Sequence, residues 1–309
     1  MEKQILIAVD GSIHSRRATE YCLDICSLMK DVHYTLLNIQ PKISDFLLEE
    51  SRMDIKASSA LKEIAEKNKK NSARILNEAT ETMVKLGIDE KLIDKVSLPV
   101  TRGTAKDILD YAKHTLCDAI VVGDRGKSKI AEAFTGSVTS DVLEHTDTTP
   151  VWAVGGDIKT QKVMLAVDGS ESALKAVDYA AFMLAGNIDI KVTLIHVTPK
   201  LRDYCTIEFD ESGDMIEDVI TSGDKKCVDS FYTHAQKKFI DAGLSESQLE
   251  VLEVQSKLSI GKTIVENAKK ENCGTLVIGR RGINDSFFMG SVSRYVLYNA
   301  SDCAVWLVP

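Results

Sequence analysis

Two glycine-rich segments are the part of this sequence whose residue types and spacing best suit phosphate binding. In the first, Gly-Asp-Arg-Gly at residues 123–126 follows the apolar run 119–122, and Gly-Ser-Val-Thr at residues 136–139 comes nine residues later. Glycine lets backbone N–H groups approach an anion and adopt positive φ. A helix that begins just after such a loop adds unpaired N–H groups and the positive end of its dipole. The pattern indicates a phosphate-binding loop, and an ordinary strand-to-helix turn is the alternative.

The chain contains this pattern a second time, in a shorter form. Gly-Arg-Arg-Gly at residues 279–282 follows the apolar run 275–278, and seven residues separate it from Gly-Ser-Val-Ser at residues 290–293. The shorter span would either draw Gly290 and Ser291 out of reach of a phosphate or accommodate a nucleotide that has fewer phosphates. The sequence leaves both outcomes open for the second copy.

An Ala-Val-Asp-Gly-Ser block precedes each glycine-rich segment, at residues 8–12 and 166–170. Its aspartates, Asp10 and Asp168, follow an apolar run that predicts a buried strand. Asp before Gly-Ser is common turn chemistry and would cap the next helix. The functional interpretation is a contact with a nucleotide or with its metal ion, which makes Asp10 the candidate metal ligand.

Matching residues recur at a nearly constant spacing, which indicates two tandem domains. The offset is 158 residues at the Asp block, 156 at Gly87 and Gly243, and 154 after the shortened loop. We place the first domain at residues 1–156 and the second at residues 157–309. Each half alternates strands and helices, which predicts an α/β fold with an open, mostly parallel sheet covered by helices on both faces. In such sheets the ligand crevice lies at the carboxyl ends of the strands, where the strand order reverses.

A long helix is predicted in the first half over residues 56–86, ended by Gly87 as a natural C-cap. Its middle, residues 66–71, is strongly polar and is expected to project beyond the sheet as a solvated arm. Residues 41–55, which precede it, have no clear periodicity and are interpreted as irregular.

In these features the sequence resembles the universal stress protein family, over essentially all 309 residues and as two tandem copies. The members of that family that bind ATP carry Gly, two residues, Gly, nine residues and Gly-Ser/Thr, with an Asp at the end of the first strand. The first copy matches this pattern in full, and the second is two residues short. The resemblance implies a doubly wound, five-stranded Rossmann-like sheet of strand order 3-2-1-4-5 in each half. It also implies ATP and Mg²⁺ as ligands and a role in stress response.

The resemblance assigns candidate nucleotide-binding residues to each half. The backbone around the Asp and at the end of the second strand would hold adenine and ribose, and the glycine loop would hold ribose and phosphates. In the first half the candidates are Ala8, Val9, Asp10, Ile39, Val122, Gly123, Arg125, Gly126, Gly136, Ser137, Val138 and Thr139. Their counterparts in the second half are Ala166, Val167, Asp168, Val197, Ile278, Gly279, Arg281, Gly282, Gly290, Ser291, Val292 and Ser293.

Charged residues within the two loops are not all alike. Arg125 and Arg281 occupy matching positions, where a guanidinium could bind phosphate, and an exposed surface arginine is the plain alternative. Asp124 is an acid where the second loop has Arg280. A carboxylate at that position would repel phosphate unless a divalent cation bridges the two.

Composition argues against several classes of function. The net charge is −8 and the pI is about 5.4, whereas nucleic-acid binding usually needs a basic face. No apolar run approaches the length of a membrane span, and the N-terminus enters strand-like residues at once, so we expect a cytoplasmic protein without membrane attachment. We recognise no nucleophile or general base poised by a third group, and therefore assign no catalytic residue.

The favoured hypothesis is a regulator that responds to bound ATP rather than a fast enzyme. One alternative is a slow ATPase or a phosphoryl or nucleotidyl transferase, with Asp10, Asp124 and a metal ion as its candidates. Another is a protein-interaction module in which the helical arm, residues 62–77, recruits a protein partner. Family members often dimerise through their last strand, so residues 151–154 and 305–308 are expected to pair within the chain as a pseudo-dimer that protects both edges. A homodimer of the whole chain is left open.

Overall fold

The computed structural model describes residues 2–27, 29, 31–124, 138–158, 160–198, 229–256, 259–281 and 289–309. It divides into two compact units: residues 1–24 and 30–154 form the first, and residues 25–29 and 155–309 form the second. Among the described helices, none combines the length and the apolar character that a membrane crossing needs. The predicted domain boundary and the predicted pairing of the two terminal strands stay predictions.

The first half alternates strands and helices from its first residues onward. Its strands are β1 (Lys3–Ala8), β2 (Val32–Gln40), β3 (Ile93–Pro99), β4 (Ala119–Asp124) and β5 (Val151–Gly155). Its helices are α1 (Ile13–Cys26), α2 (Asp45–Glu50), α3 (Ile55–Lys85), α4 (Thr104–His114) and α5 (Val138–His145).

The second half also alternates strands and helices over its described residues. Its strands are β6 (Lys162–Val167), β7 (Lys191–Thr198), β8 (Leu249–Gln255), β9 (Thr275–Gly279) and β10 (Ala304–Val308). Its described helices are α6 (Glu171–Leu184), α7 (residues 229–241), α8 (Ile260–Lys270) and α9 (Ser291–Asn299).

Each half builds a parallel sheet whose strand order confirms the prediction. The order is β3-β2-β1-β4-β5 in the first half, and β8-β7-β6-β9-β10 in the second. The central strands are almost fully buried because helices cover both faces, which explains why they are continuous apolar runs rather than alternating ones. In both halves the order reverses between the first and the fourth strand, β1 and β4 or β6 and β9, so the ligand crevice is expected there.

The core repeats one aromatic contact in both halves. Tyr21 of α1 meets Trp152 of β5 edge to face, with ring centroids 6.4 Å apart. Tyr179 of α6 meets Trp306 of β10 in the same way at 6.0 Å. Both tryptophans are fully buried, so this pair anchors the first helix of each half to its last strand.

The region before the long helix differs from the prediction. Residues 41–55 contain α2, a six-residue helix with Ser44 as N-cap, whose Oγ accepts a hydrogen bond from the N–H of Leu47 at 3.3 Å. The prediction of an irregular segment is wrong here because α2 buries no residue and so leaves no periodic apolar signal. The long helix itself is confirmed within one residue at each end, and its first buried residue is Ser72.

Asp107 of α4 ties the loop before the helix to its first turn. Its carboxylate accepts hydrogen bonds from the N–H of Thr101 at 2.7 Å, from the hydroxyl of Thr101 at 2.5 Å and from the N–H of Arg102 at 3.1 Å. Burial alone would raise the pKa of Asp107, but these hydrogen bonds outweigh it and hold the pKa below the ordinary value of 3.8.

Replacing Asp107 with alanine is expected to lower the free energy of unfolding by about 2–3 kcal/mol at pH 7, because hydrogen bonds to a charged group are lost. A pKa that is lower in the folded state gives a contribution that is complete above the unfolded pKa and is lost as the pH falls through the folded one. Urea denaturation should therefore show a smaller difference in unfolding free energy between Asp107→Ala and the unaltered protein at pH 3 than at pH 7.

The control for this measurement is Asp110→Ala, which removes an exposed ion pair with Arg102. Exposed pairs contribute little, so this variant should lose at most about 1 kcal/mol. Equal losses of unfolding free energy in the two variants would contradict the stabilising role of the Asp107 carboxylate. So would a loss for Asp107→Ala that is as large at pH 3 as at pH 7.

Candidate functional site

The turn after β1 is built by the aspartate that the sequence singled out. Asp10 Oδ1 accepts a hydrogen bond from the N–H of Ser12 at 2.9 Å, and Ser12 Oγ accepts one from the N–H of Ser15 at 3.2 Å. Gly11 between them has a φ of +78°, a conformation that glycine adopts without strain. The serine therefore caps α1, and one carboxylate oxygen of the exposed Asp10 shapes the turn.

The second half repeats this turn after β6. Asp168 Oδ1 accepts from the N–H of Ser170 at 3.0 Å, and Ser170 Oγ accepts from the N–H of Ala173 at 3.1 Å. Asp168 is exposed at the carboxyl end of its strand, as Asp10 is in the first half. The capping role that the sequence left open thus belongs to the serine in both copies.

Glycine is required at the ends of β4 and β9 because the protein packs against itself there. A Cβ on Gly123 would lie 2.4 Å from the carbonyl carbon of His14 and 2.5 Å from its oxygen. A Cβ on Gly279 would lie 2.4 Å from Ser172 Oγ and 3.1 Å from the carbonyl oxygen of Ser172. The missing side chain lets the fourth strand approach the first turn of α1 or α6, whether or not a phosphate also needs the space.

The hydroxyls predicted to contact phosphate make the same internal hydrogen bond in both halves. Thr139 Oγ1 donates to the carbonyl of Gly123 at 2.9 Å, and Ser293 Oγ donates to the carbonyl of Gly279 at 2.7 Å. Each hydroxyl has one proton, so in this arrangement it anchors the helix after the loop and can only accept a further hydrogen bond. The second loop is two residues shorter than the first, yet this hydrogen bond is the same in both halves.

A buried polar side chain on the second strand was missed by the sequence analysis. Asn38 of β2 donates from Nδ2 to the carbonyl of Val9 at 2.6 Å. His196 of β7 lies 3.0 Å through Nδ1 from the carbonyl of Val167, so Nδ1 must carry the proton. A polar residue inside an apolar strand, repeated at the 158-residue offset, was the available signal.

A second acidic residue lies at the carboxyl edge of the first sheet together with Asp10. β1 and β4 are neighbouring parallel strands, with Ile7 opposite Val121. Asp10 follows the end of β1 by two residues, and Asp124 is the last residue of β4. The first half therefore presents two acidic residues at the switch point.

The equivalent position in the second half carries the opposite charge. β6 and β9 are parallel, with Leu165 opposite Val277. Asp168 follows the last residue of β6 and Arg280 follows the last residue of β9, and the side chain of Arg280 is largely buried. The second half therefore presents one acid and one base.

The described candidate residues of each half come from the carboxyl ends of its strands or from the helix after the loop. The described candidates of the first half lie at or just after the ends of β1, β2 and β4, or begin α5. They are Ala8, Val9, Asp10, Ile39, Val122 and Gly123 at the strand ends, and Val138 and Thr139 in the helix. In the second half Ala166, Val167, Asp168, Val197, Ile278, Gly279 and Arg281 lie at or just after strand ends, and Gly290, Ser291, Val292 and Ser293 begin α9. Arg125, Gly126, Gly136, Ser137 and Gly282 lie outside the described residues.

The charges at the first switch point fit a magnesium ion that arrives with a nucleotide. Mg²⁺ is usually held by one or two carboxylates together with substrate phosphates, and Asp10 and Asp124 could supply that number. Over the part of the chain that the structure describes, no group of three or more His, Cys, Asp or Glu side chains forms a site that could hold a metal by itself. A cation here would therefore depend on the phosphates of a ligand.

Comparison with known families agrees with this architecture. The model of the universal stress protein family matches the chain twice, at residues 1–155 and 159–309. The chain belongs to the universal stress protein family. None of the curated proteins searched matches it.

Solved structures similar to this universal stress protein extend over both halves. One is a universal stress protein from Archaeoglobus fulgidus DSM 4304, at 18% identity, with 99% of this chain and 97% of that chain covered and a TM-score of 0.66. Another is a putative universal stress protein from Pseudomonas aeruginosa UCBPP-PA14, at 15% identity, with 99% and 93% covered and a TM-score of 0.61. Identities this low establish the α/β fold and nothing finer.

A single-domain structure also matches one half of the chain. It is a universal stress protein in complex with cAMP, at 22% identity, with 48% of this chain and 96% of that chain covered and a TM-score of 0.33.

Proposed function

We propose that this universal stress protein binds ATP at the carboxyl edge of each sheet and acts as a nucleotide-responsive regulator in stress response. The observation that supports this most strongly is the repetition of one crevice in both halves. The aspartate turn, the glycine against the first helical turn and the hydroxyl-to-carbonyl bond all recur at the switch point. Open parallel sheets bind ligands at that point.

The strand ends in each crevice offer backbone groups for a base and ribose. The carbonyl of Val9 already accepts a hydrogen bond from the side-chain amide of Asn38. Because a carbonyl oxygen has two lone pairs, it can accept a second hydrogen bond from a ligand. In the second half the carbonyl of Val167 likewise accepts a hydrogen bond from His196 Nδ1 and can accept one more. In the first half Asp10 and Asp124 would hold Mg²⁺ against the phosphates.

Calorimetric titration of the full chain with ATP and Mg²⁺ tests the proposal. We expect saturable binding at two sites per chain, without matching release of ADP, because a regulator holds its nucleotide. Asp110→Ala, a surface variant on α4, is the control and should bind as the unaltered protein does. A folded chain that binds no ATP at millimolar concentration would refute the proposal, and rapid ADP release would point to an ATPase.

One observation favours a second function, self-association through the helical arm. The exposed stretch starts before the predicted arm of residues 62–77 and stops before its buried residues. The arm is therefore defined from the structure as residues 44–71, which comprise α2 and the first turns of α3 and include no buried residue. Phe46, Met53 and Ile55 are 71%, 91% and 88% exposed. Large apolar side chains that are this exposed and this close in sequence are typical of an interaction surface.

The charges on the arm fit a second copy of the same arm. Residues 45–54 carry four carboxylates and one arginine, whereas residues 62–70 carry four lysines and two glutamates. Two arms packed antiparallel would place the acidic end of each against the lysine-rich stretch of the other. We therefore assign the arm to homodimer formation.

Replacing Met53 and Ile55 together with glutamate is expected to weaken that dimer at least tenfold, because two apolar contacts become charged. Sedimentation velocity over a range of protein concentrations measures the dissociation constant. Ile188→Glu is the matched control, since Ile188 is 75% exposed outside the arm. An unaltered chain that stays monomeric, or a double variant that dimerises normally, would contradict this assignment.

A further inference from the structure

One helix, α3, belongs both to the arm and to the wall of the first crevice. Its first turns form part of the arm, and its buried residues begin directly after the arm, at Ser72. We infer that α3 couples the two activities, so that ATP bound in the first crevice strengthens the dimer formed through the arm. This inference rests on the proposed function, because it links nucleotide binding to the self-association assigned there.

The first contact that carries the coupling joins the Asp10 turn to α3. Gly11 follows Asp10 in that turn, and a Cβ on Gly11 would lie 3.2 Å from Cγ1 of Ile75 and 3.5 Å from its Cδ1. Ile75 is buried and comes four residues after the last residue of the arm. The turn that would meet the nucleotide thus packs on α3 about one helical turn beyond the arm.

The second contact joins the end of β2 to the same part of α3. Gln40, the last residue of β2, donates from Nε2 to Ser97 Oγ of β3 at 2.9 Å. The hydroxyls of Ser97 and Ser72 in turn share a hydrogen bond at 2.7 Å. Ser72 is 1% exposed, and Ile39, a candidate for holding the base, precedes Gln40. The strand end predicted to hold adenine is therefore connected through two hydrogen bonds to the first buried residue of α3.

The uninterrupted course of α3 carries any change at these contacts into the arm. The helix runs continuously from Ile55 to Lys85. Ile55 and Ile75 are twenty residues apart, which is about 30 Å along a helix. A tilt of about 5° at Ile75 would therefore move Ile55 by roughly 2.6 Å. That displacement suffices to make or lose apolar contacts between two arms, because such contacts need heavy atoms within about 4.5 Å.

The sign of the coupling follows from the cost of ordering the arm. No residue of the arm is buried, so its direction depends on how the buried part of α3 is held. Association must fix the direction of two arms, and that ordering opposes dimerisation. A nucleotide that holds the Asp10 turn and the end of β2 fixes both contacts of α3 beforehand, so the dimer forms with a smaller ordering cost. By linkage, the dimer must bind ATP more tightly than the monomer by the same factor.

Sedimentation velocity of the full chain, without nucleotide and with saturating ATP and MgCl₂, tests the inference. Couplings between sites are typically in the range of about 5- to 150-fold. We expect ATP to lower the dissociation constant of the dimer at least about fivefold. A dissociation constant that stays within about twofold, or that rises with ATP, would overturn the inference.

Softening α3 between the arm and its two contacts should uncouple them. Lys70→Gly combined with Asn71→Gly changes two exposed residues at the end of the arm, and glycine loosens a helix at that point. The variant should still bind ATP and still dimerise, but ATP should change its dissociation constant by less than about twofold. A softened variant that keeps the full effect of ATP would refute the role of α3.

The matched control places the same two glycines beyond the contacts. Asn77→Gly combined with Glu78→Gly also changes two exposed residues of α3, and these lie after Ile75. Each pair removes one exposed contact of Arg74, which hydrogen-bonds Asn71 on one side and Glu78 on the other. The control should keep the full effect of ATP on the dimer, and an equal loss in both variants would contradict the inference.

The same experiments separate this inference from the proposed function. If the unaltered chain binds no ATP, or stays monomeric at every concentration, the corresponding part of the proposed function fails and the inference falls with it. If the chain binds ATP and dimerises with one dissociation constant in both conditions, the proposed function holds and only the coupling is wrong.

Discussion

Replacing Gly123 with alanine is expected to lower the free energy of unfolding by about 3 kcal/mol, at the upper end of the cost of overpacking. The new Cβ would lie 2.4 Å from the carbonyl carbon of His14 and 2.7 Å from the N–H nitrogen of Ser15. These are backbone atoms in the first turn of α1, so they can move only if the whole turn moves. The shift would also disturb the Asp10 turn, and nucleotide binding in the first half should weaken with it.

Two other glycines are matched controls for that variant. Gly279→Ala should cost about half as much, because its nearest neighbour at 2.4 Å is the side-chain oxygen of Ser172, which can rotate away. Gly87→Ala meets nothing within 4 Å and bears only the strain of a φ of +96°, about 1–2 kcal/mol. Urea denaturation measures all three, and a Gly123 variant no less stable than the Gly87 variant would contradict the packing argument.

Replacing Asp10 with asparagine is expected to weaken binding of ATP with Mg²⁺ in the first half by at least tenfold while leaving stability nearly unchanged. An asparagine oxygen can still accept the 2.9 Å hydrogen bond from the N–H of Ser12, so the turn is preserved. The variant removes only the negative charge that would hold the cation. Calorimetric titration gives the affinity, and thermal unfolding confirms that the turn is intact.

Asp168→Asn, the same change in the second half, is the matched control for the first site. The asparagine oxygen can still accept the 3.0 Å hydrogen bond from the N–H of Ser170, so this variant should leave binding in the first half unchanged. An Asp10→Asn variant that binds ATP with Mg²⁺ as tightly as the unaltered chain would contradict the role of Asp10.

The alternation of strands and helices in each half was predictable because buried parallel strands carry continuous apolar runs and the repeat could be aligned with itself. The strand order was predicted only through the resemblance to the universal stress protein family. The limits of α3 were predictable from its apolar stripe and from Gly87. By contrast α2, with Ser44 as its cap, buries nothing, so hydrophobic periodicity gave no indication of it. Local capping chemistry was the remaining signal and is too common to identify a six-residue helix.

The residues of the candidate site were predictable as a group, but what several of them contact was not. A glycine at position 123 is consistent both with space for a phosphate and with space for the His14 backbone, and the close approach of His14 has no signal in the sequence. From the sequence, the hydroxyl of Thr139 is expected to donate a hydrogen bond to a phosphate. In the structure it donates to the carbonyl of Gly123 instead. Asn38 was missed because a lone polar residue in a strand has no local pattern.

Native mass spectrometry of the intact chain after equilibration with ATP tests the central claim most directly, because it counts bound nucleotides per chain. With Mg²⁺ present the account predicts two ATP molecules on each chain. A folded chain that carries no nucleotide would contradict it.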